Sequence, residues 1–119
     1  MTRRDDRVPI RHALEAARKA ISTTREWQRS DLDLEELPTL GLIRLLEVIG
    51  EAANAVSAET QQAHPEVPWR KMAGLRNRLI HGYFNVNLDI VWDTLRQDLP
   101  RLVEQLSQLL DKLDSRSTP

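Results

Sequence analysis

The stretch NLDIVWDTLRQDLPRLVEQLSQLLDKL, residues 87–113, decides the fold. Leu88, Trp92, Leu95, Leu99, Leu102, Leu106, Leu109 and Leu113 alternate four and three apart. Residues so spaced share one side of an α-helix, so this is an unbroken apolar stripe of heptad type. Asn87 is a good N-cap, and Asp89 falls in the positive first turn. Pro100 lies off the stripe. It lacks an N–H and crowds the preceding turn, which predicts a kinked or divided helix.

Working outward, the same period recurs upstream. Pro9 suits a first helical position, and Ile10, Leu14, Ala17, Ile21 and Thr24 follow it, with Trp27 near the end. Ser30-Asp31-Leu32-Asp33 then breaks the pattern. A second helix starts at Pro38, with Leu42, Leu45, Leu46, Ile49, Ala53 and Val56 as its stripe. Gly41 and Gly50 lie inside it, each costing about 1 kcal/mol against alanine, which suggests close helix packing. His64-Pro65-Glu66-Val67-Pro68 is a loop, since a residue before proline is pushed out of the α region. Pro68 restarts a shorter helix through Trp69, Met72, Leu75, Leu79 and Ile80, ending near Gly82. Strand-like alternation is absent. The expected helices are thus 9–29, 38–60, 68–82 and 87–113. With short links they predict an all-α, antiparallel four-helix bundle. One domain spans residues 1–119, with an ordered core over about 8–114.

Composition excludes several function classes. There is no cysteine, so disulfides, thiolate metal sites and cysteine nucleophiles are out. Met1-Thr-Arg-Arg-Asp-Asp-Arg leads into no apolar run, so no signal peptide is expected. No stretch approaches the roughly 18 apolar residues needed to span a bilayer. The expectation is a cytoplasmic protein with no membrane partner. Seventeen Lys and Arg against eighteen Asp and Glu give a net charge of −1, which does not announce a nucleic-acid binder. The distribution says more. From Val67 to Leu88 there is no acidic residue, while Arg70, Lys71, Arg76, Arg78 and His81 fall inside. An ordinary solvated helix face reads the same way.

Few residues are left for chemistry. His12, His64 and His81 share no metal-ligand spacing, and no Glu-x-x-His pair suits a di-iron bundle, so neither metal nor cofactor is expected. His12 and His64 read as surface or loop residues. Glu47 and Glu51, four apart, are either paired carboxylates or a polar helix face. The remaining candidate is Arg76-Asn77-Arg78-Leu79-Ile80-His81-Gly82-Tyr83. Arginine grips phosphate through a two-pronged fork, and histidine exchanges protons near neutral pH. Tyrosine adds a hydroxyl and a stacking face. RNA supplies its own nucleophile, the 2′-hydroxyl, so a protein need only move protons and stabilise the pentavalent transition state. Five residues of ideal helix turn about 140° and rise about 7.5 Å, so Arg76 and His81 share a face only if the helix end unwinds. A single His also supplies only one proton-transfer group. A two-fold dimer with both copies of Arg76 and His81 around one cleft meets both difficulties. Arg and His on a helix are also a familiar salt-bridged or capping pair, and the octapeptide alone leaves that reading open.

That octapeptide resembles the R-x4-H-x-Y signature of the HepT-like toxins, a branch of the HEPN superfamily. Ile49-Gly50-Glu51-Ala52-Ala53 resembles the family's second-helix signature, Pro68-Trp69 its lead-in to the motif, and Asn85 to Trp92 with Asp98-Leu99-Pro100 its last helix. The likeness covers roughly residues 35 to 110, and the lead-in at Pro38 departs from the family's usual stretch. The resemblance implies a HEPN-like homodimeric bundle and a toxin of a toxin–antitoxin pair. It implies a metal-independent RNA endonuclease whose catalytic pair is Arg76 and His81. Asn77, Arg78 and Tyr83 are then substrate-binding residues. Tyr83 is also the tyrosine that an MntA-like nucleotidyltransferase antitoxin modifies with AMP. The alternative is a non-catalytic, nucleotide-binding helical partner of such a nucleotidyltransferase, with Arg76 gripping a nucleotide phosphate.

Overall fold

The structure, a computed structural model, describes residues 5–81 and 85–117. The expected Tyr83 site and the Gly82 helix stop lie outside the described residues. The fold is all-α. Its helices are α1 (Arg7–Thr23), α2 (Leu37–Ala55), α3 (Ala58–Ala63), α4 (Trp69–Ala73), α5 (Leu75–Leu79), α6 (Leu88–Asp93) and α7 (Leu99–Ser117). A 3-10 turn at Arg29–Asp31 links α1 to α2, and a π-helical turn at Thr94–Asp98 joins α6 to α7. Among the described residues the only strands are β1 (Ile80–His81) and β2 (Asn85–Val86).

The stripes face inward as their spacing demands. α1 packs against both α2 and α7, while α4 and α5 lie on α2. Ile10, Leu42, Leu46, Ile49, Leu79, Leu95, Leu99, Leu106 and Leu109 are fully buried. Truncating one such leucine to alanine typically costs about 2–5 kcal/mol.

All four expected helices need correction in their bounds or regularity. The first helix stops at Thr23 rather than near 29. Arg96 donates to the carbonyls of Thr24 and Trp27, both at 2.6 Å, and so satisfies main-chain acceptors that more helix would have used. Its guanidinium also stacks 4.3 Å from the Trp92 ring centre.

The second helix ends at Ala55 rather than 60. Ser57 N-caps α3 by accepting from the Thr60 N–H. Asp6, at the head of α1, accepts from the Ser57 N–H at 3.0 Å and from the Ser57 and Thr60 hydroxyls at 2.6 Å.

The third helix is divided at Gly74 and ends at Leu79, short of 82. The chain then turns extended and forms an antiparallel ladder, Ile80 opposite Val86 and His81 opposite Asn85. The Asn87 N–H closes it onto the Leu79 carbonyl at 2.7 Å. β-Branched Ile80 and Val86 suit that pairing.

The last helix is neither kinked apart nor regular. Its buried residues run Val91, Leu95, Leu99, Leu102, Leu106 and Leu109, with Trp92 only half-buried. Val91, Leu95 and Leu99, four apart, all stay buried through the π turn, which is wider than an α-helical one. The Leu99 N–H reaches the Thr94 carbonyl, five residues back, just where Pro100 has no N–H to continue an α ladder. Asn87 caps α6 as expected, accepting from the Asp89 and Ile90 N–H groups.

His12 is exposed as expected, but His64 is buried. Its carbonyl accepts from the Trp69 indole at 3.0 Å, and its Nδ1 lies 3.4 Å from Glu66 Oε1.

The two glycines of α2 differ. A Cβ on Gly41 would meet nothing within 4 Å, so packing does not explain that residue. A Cβ on Gly50 would stand 3.0 Å from the Met72 carbonyl, so there the backbones of α2 and α4 approach closely. Gly50→Val is expected to destabilise the protein by about 2 kcal/mol through overpacking, read as a lowered midpoint in thermal unfolding. An unchanged midpoint would mean that α4 is free to move away from α2.

Candidate active site

The site grows from α5. Leu75 and Leu79 are buried and anchor the helix to the core. Between them Arg76, Asn77 and Arg78 are exposed. Arg76 Nε lies 3.9 Å from Glu47 Oε2 on α2. Arg44, one turn earlier on α2, stands 4.0 Å from Glu47 and 3.0 Å from Glu51. The carboxylate pair is therefore not an isolated acid–base dyad. Glu51 serves Arg44, and Glu47 lies within ion-pair range of both arginines. Arg76 stays 71% exposed in its side chain, so its guanidinium faces solvent while Glu47 biases its position. An exposed ion pair of this length is weak, which leaves the arginine available to a phosphate.

The close approach at Gly50 sets this geometry. It lies one turn beyond Glu47 and lets α4 and α5 sit near enough to α2 for Arg76 to reach it. Sequence reading considered Glu47 only as a possible pair with Glu51, not as a partner of Arg76. Its i+3 spacing to Gly50 was visible, but the partner across the interface was not.

The expected grouping of motif residues divides in two. Two residues of helix turn about 200°, so Arg78 projects away from Arg76. Arg78 lines a groove on the opposite side of α5, toward α7. Asn77 is exposed between them. The helix ends at Leu79, Ile80 is extended (φ −105°, ψ 117°), and the His81 backbone enters β1. The backbone at His81 therefore does not continue the helical rotation of α5. Among the described residues no group of three or more His, Cys, Asp or Glu side chains could hold a metal ion. Among them, too, no helix is long and apolar enough to cross a membrane.

A helical bundle carrying Arg76 and His81 on a helix-to-hairpin junction has a counterpart among known families. The family model described as "Ribonuclease HepT-like" matches residues 13–109, most of the chain. The chain belongs to the HepT-like ribonuclease family. The "Probable ribonuclease HepT" of Thermococcus cleftensis is 36% identical over 100 residues, covering 81% of this chain and 91% of that protein. A candidate RNase of Caldanaerobacter subterraneus subsp. tengcongensis is 34% identical over 103 residues, covering 87% and 92%. A candidate RNase of Methanocaldococcus jannaschii is 31% identical, covering 89% and 97%. No solved structure matches the chain. The HepT-like match includes α2, α5, the ladder and most of α7, so every element that positions Arg76 and His81 falls inside it.

Proposed function

We propose that this HepT-like chain is a metal-independent RNA endonuclease, the toxin of a toxin–antitoxin pair acting in the cytoplasm. Its site is composed of Arg76 and His81 from both copies of a two-fold dimer. The observation that carries the reading is the break after Leu79, which releases His81 from the helix that presents Arg76. One His81 takes the proton from the 2′-hydroxyl. The oxygen attacks the adjacent phosphorus, and the bond to the 5′-oxygen breaks. The partner's His81 protonates that leaving oxygen. The products are a 2′,3′-cyclic phosphate and a 5′-hydroxyl. Arg76 of each copy binds the phosphate and stabilises the charge of the pentavalent state, and Asn77 orients the phosphate or its neighbours. Tyr83 borders the site and takes AMP from an MntA-like nucleotidyltransferase antitoxin.

The dimer reading is supported by the face of α2 that carries Arg44 and Glu47. Leu37 is 80% and Leu40 46% exposed, and they lie along that face beside the unobstructed Gly41. A second copy seated there covers both leucines and lies beside Arg76. Incubation of unstructured RNA with the protein in excess chelator tests the chemistry, and 2′,3′-cyclic phosphate ends are expected. Loss of cutting in the chelator would overturn the metal-independent mechanism. Leu37→Arg with Leu40→Arg is expected to give monomers in sedimentation and to remove cutting. A fully active monomer would show that one copy suffices.

A further inference from the structure

The groove beyond Arg78 lies away from the Arg76–Glu47 side. Its volume is about 400 Å³, within the range of small-molecule and cofactor pockets, roughly 300–1,000 Å³. Met72, Leu75 and Leu102 form a nearly buried apolar floor. Arg78 on α5 and Arg101 on α7 stand on its wall, with the Gln97 amide from the π turn. Charge in the groove is unbalanced. Of the two acids that line it, Asp98 is held by Lys71 at 3.1 Å, while Glu66 lies near His64 and Lys112. Among the described residues no carboxylate stands within ion-pair distance of Arg78 or Arg101, and both are exposed. The π turn matters here because it supplies Gln97 and precedes Arg101. Such turns recur at functional sites in helices.

We infer that this groove binds one nucleotide of a single-stranded RNA outside the cleft where the RNA is cut. Arg78 and Arg101 take the backbone phosphate, Gln97 meets a base edge, and the base or ribose lies on the apolar floor. The chemistry selects a nucleotide over a bare anion, because two unpaired arginines over an apolar floor match a phosphate attached to a flat, weakly polar body. Arg78 thereby links the two sites, since it sits on the same short helix as Arg76. RNA bound in the groove is held in register with the cleft by α5 itself. This inference rests on the ribonuclease reading for its biological sense but not for its test.

Binding is measured in the His81→Ala background, so no cleavage is needed. The probe is a short, unstructured, fluorescently labelled RNA oligonucleotide, followed by anisotropy at several salt concentrations. Arg78→Ala and Arg101→Ala are each expected to weaken binding about tenfold and to reduce the salt slope by about 0.7. Arg18→Ala, which removes an exposed positive charge on α1 outside the groove, is expected to bind like its parent. Inorganic polyphosphate is expected to compete poorly with the RNA. Parental affinity and salt slope in both groove variants would overturn the assignment, as would an equal loss in Arg18→Ala. Polyphosphate competing as well as RNA would overturn the nucleotide preference. An absence of RNA cleavage by the unsubstituted protein would count against the ribonuclease reading while leaving the groove measurement intact.

Discussion

His81→Ala and Arg76→Ala are each expected to reduce RNA cleavage by about a thousandfold or more while leaving a folded protein. The size follows from the chemistry. A positioned proton-transfer group contributes roughly 10²–10⁴ in rate, and a donor aimed at developing phosphate charge contributes about 10²–10³. In a two-fold site each substitution removes the group from both copies. The fold should survive for separate reasons. Arg76 is exposed and among the described residues makes only the long ion pair to Glu47, so its loss falls within about 0.5 kcal/mol, as for most surface positions. The ladder that pairs His81 with Asn85 uses main-chain groups, which alanine keeps. Cleavage of a labelled RNA and thermal unfolding of the same samples check both halves. If His81→Ala cut RNA at the normal rate, the proton-transfer role assigned to it would be wrong. If Arg76→Ala unfolded, its part in the chemistry would have to be re-examined with Arg76→Lys. That variant keeps the charge but loses the two-pronged grip.

The second large effect is expected at Tyr83. It follows His81 by two residues in the sequence, between β1 and β2. Attaching AMP to its hydroxyl adds a negative phosphate and a bulky nucleoside. The phosphate would compete with RNA for Arg76, and the nucleoside would obstruct the cleft. Modified protein is therefore expected to lose RNA binding and cutting without losing stability. Tyr83→Phe is expected to retain substantial cleavage yet escape silencing. Incubating both proteins with a cognate nucleotidyltransferase and ATP, then measuring mass and cleavage, checks this. Should Tyr83→Phe still gain AMP, or modified protein cut at full rate, then Tyr83 is not the switch and an antitoxin must act by binding alone.

What could be read in the sequence was whatever one helix decides by itself. The stripes of α1 and α2 and the Asn87 cap depend on local spacing and local hydrogen bonds, and they emerge as read, while Pro9, Pro38 and Pro68 mark their helix starts only to within two residues. The helix ends depend on distant partners. Nothing near Thr24 announces that Arg96 will take its carbonyl, and nothing near Ala55 announces that Asp6 will hold Ser57. The hairpin was hidden for another reason. Leu79 and Ile80 continue a helical stripe as well as they begin a strand. The same limit applied to the site. Arg76, Asn77, Arg78 and His81 could be singled out by type and order. That Arg76 faces Glu47 while Arg78 faces a different groove follows from the packing of α5 between two neighbours, which no linear spacing encodes.

The wide turn at Thr94–Asp98 also bears on how the length of this chain can change over generations. Gaining or losing one residue elsewhere in an α-helix rotates everything downstream by about 100°, which for α7 would carry Leu102, Leu106 and Leu109 out of the core. Just before Pro100 the helix already accommodates a surplus residue as a bulge. A single-codon deletion there tightens the bulge into an ordinary turn and leaves the downstream leucines facing the core, provided the proline is replaced as well. Shortening the helix at this point thus takes two changes made together, loss of the bulge residue and replacement of Pro100.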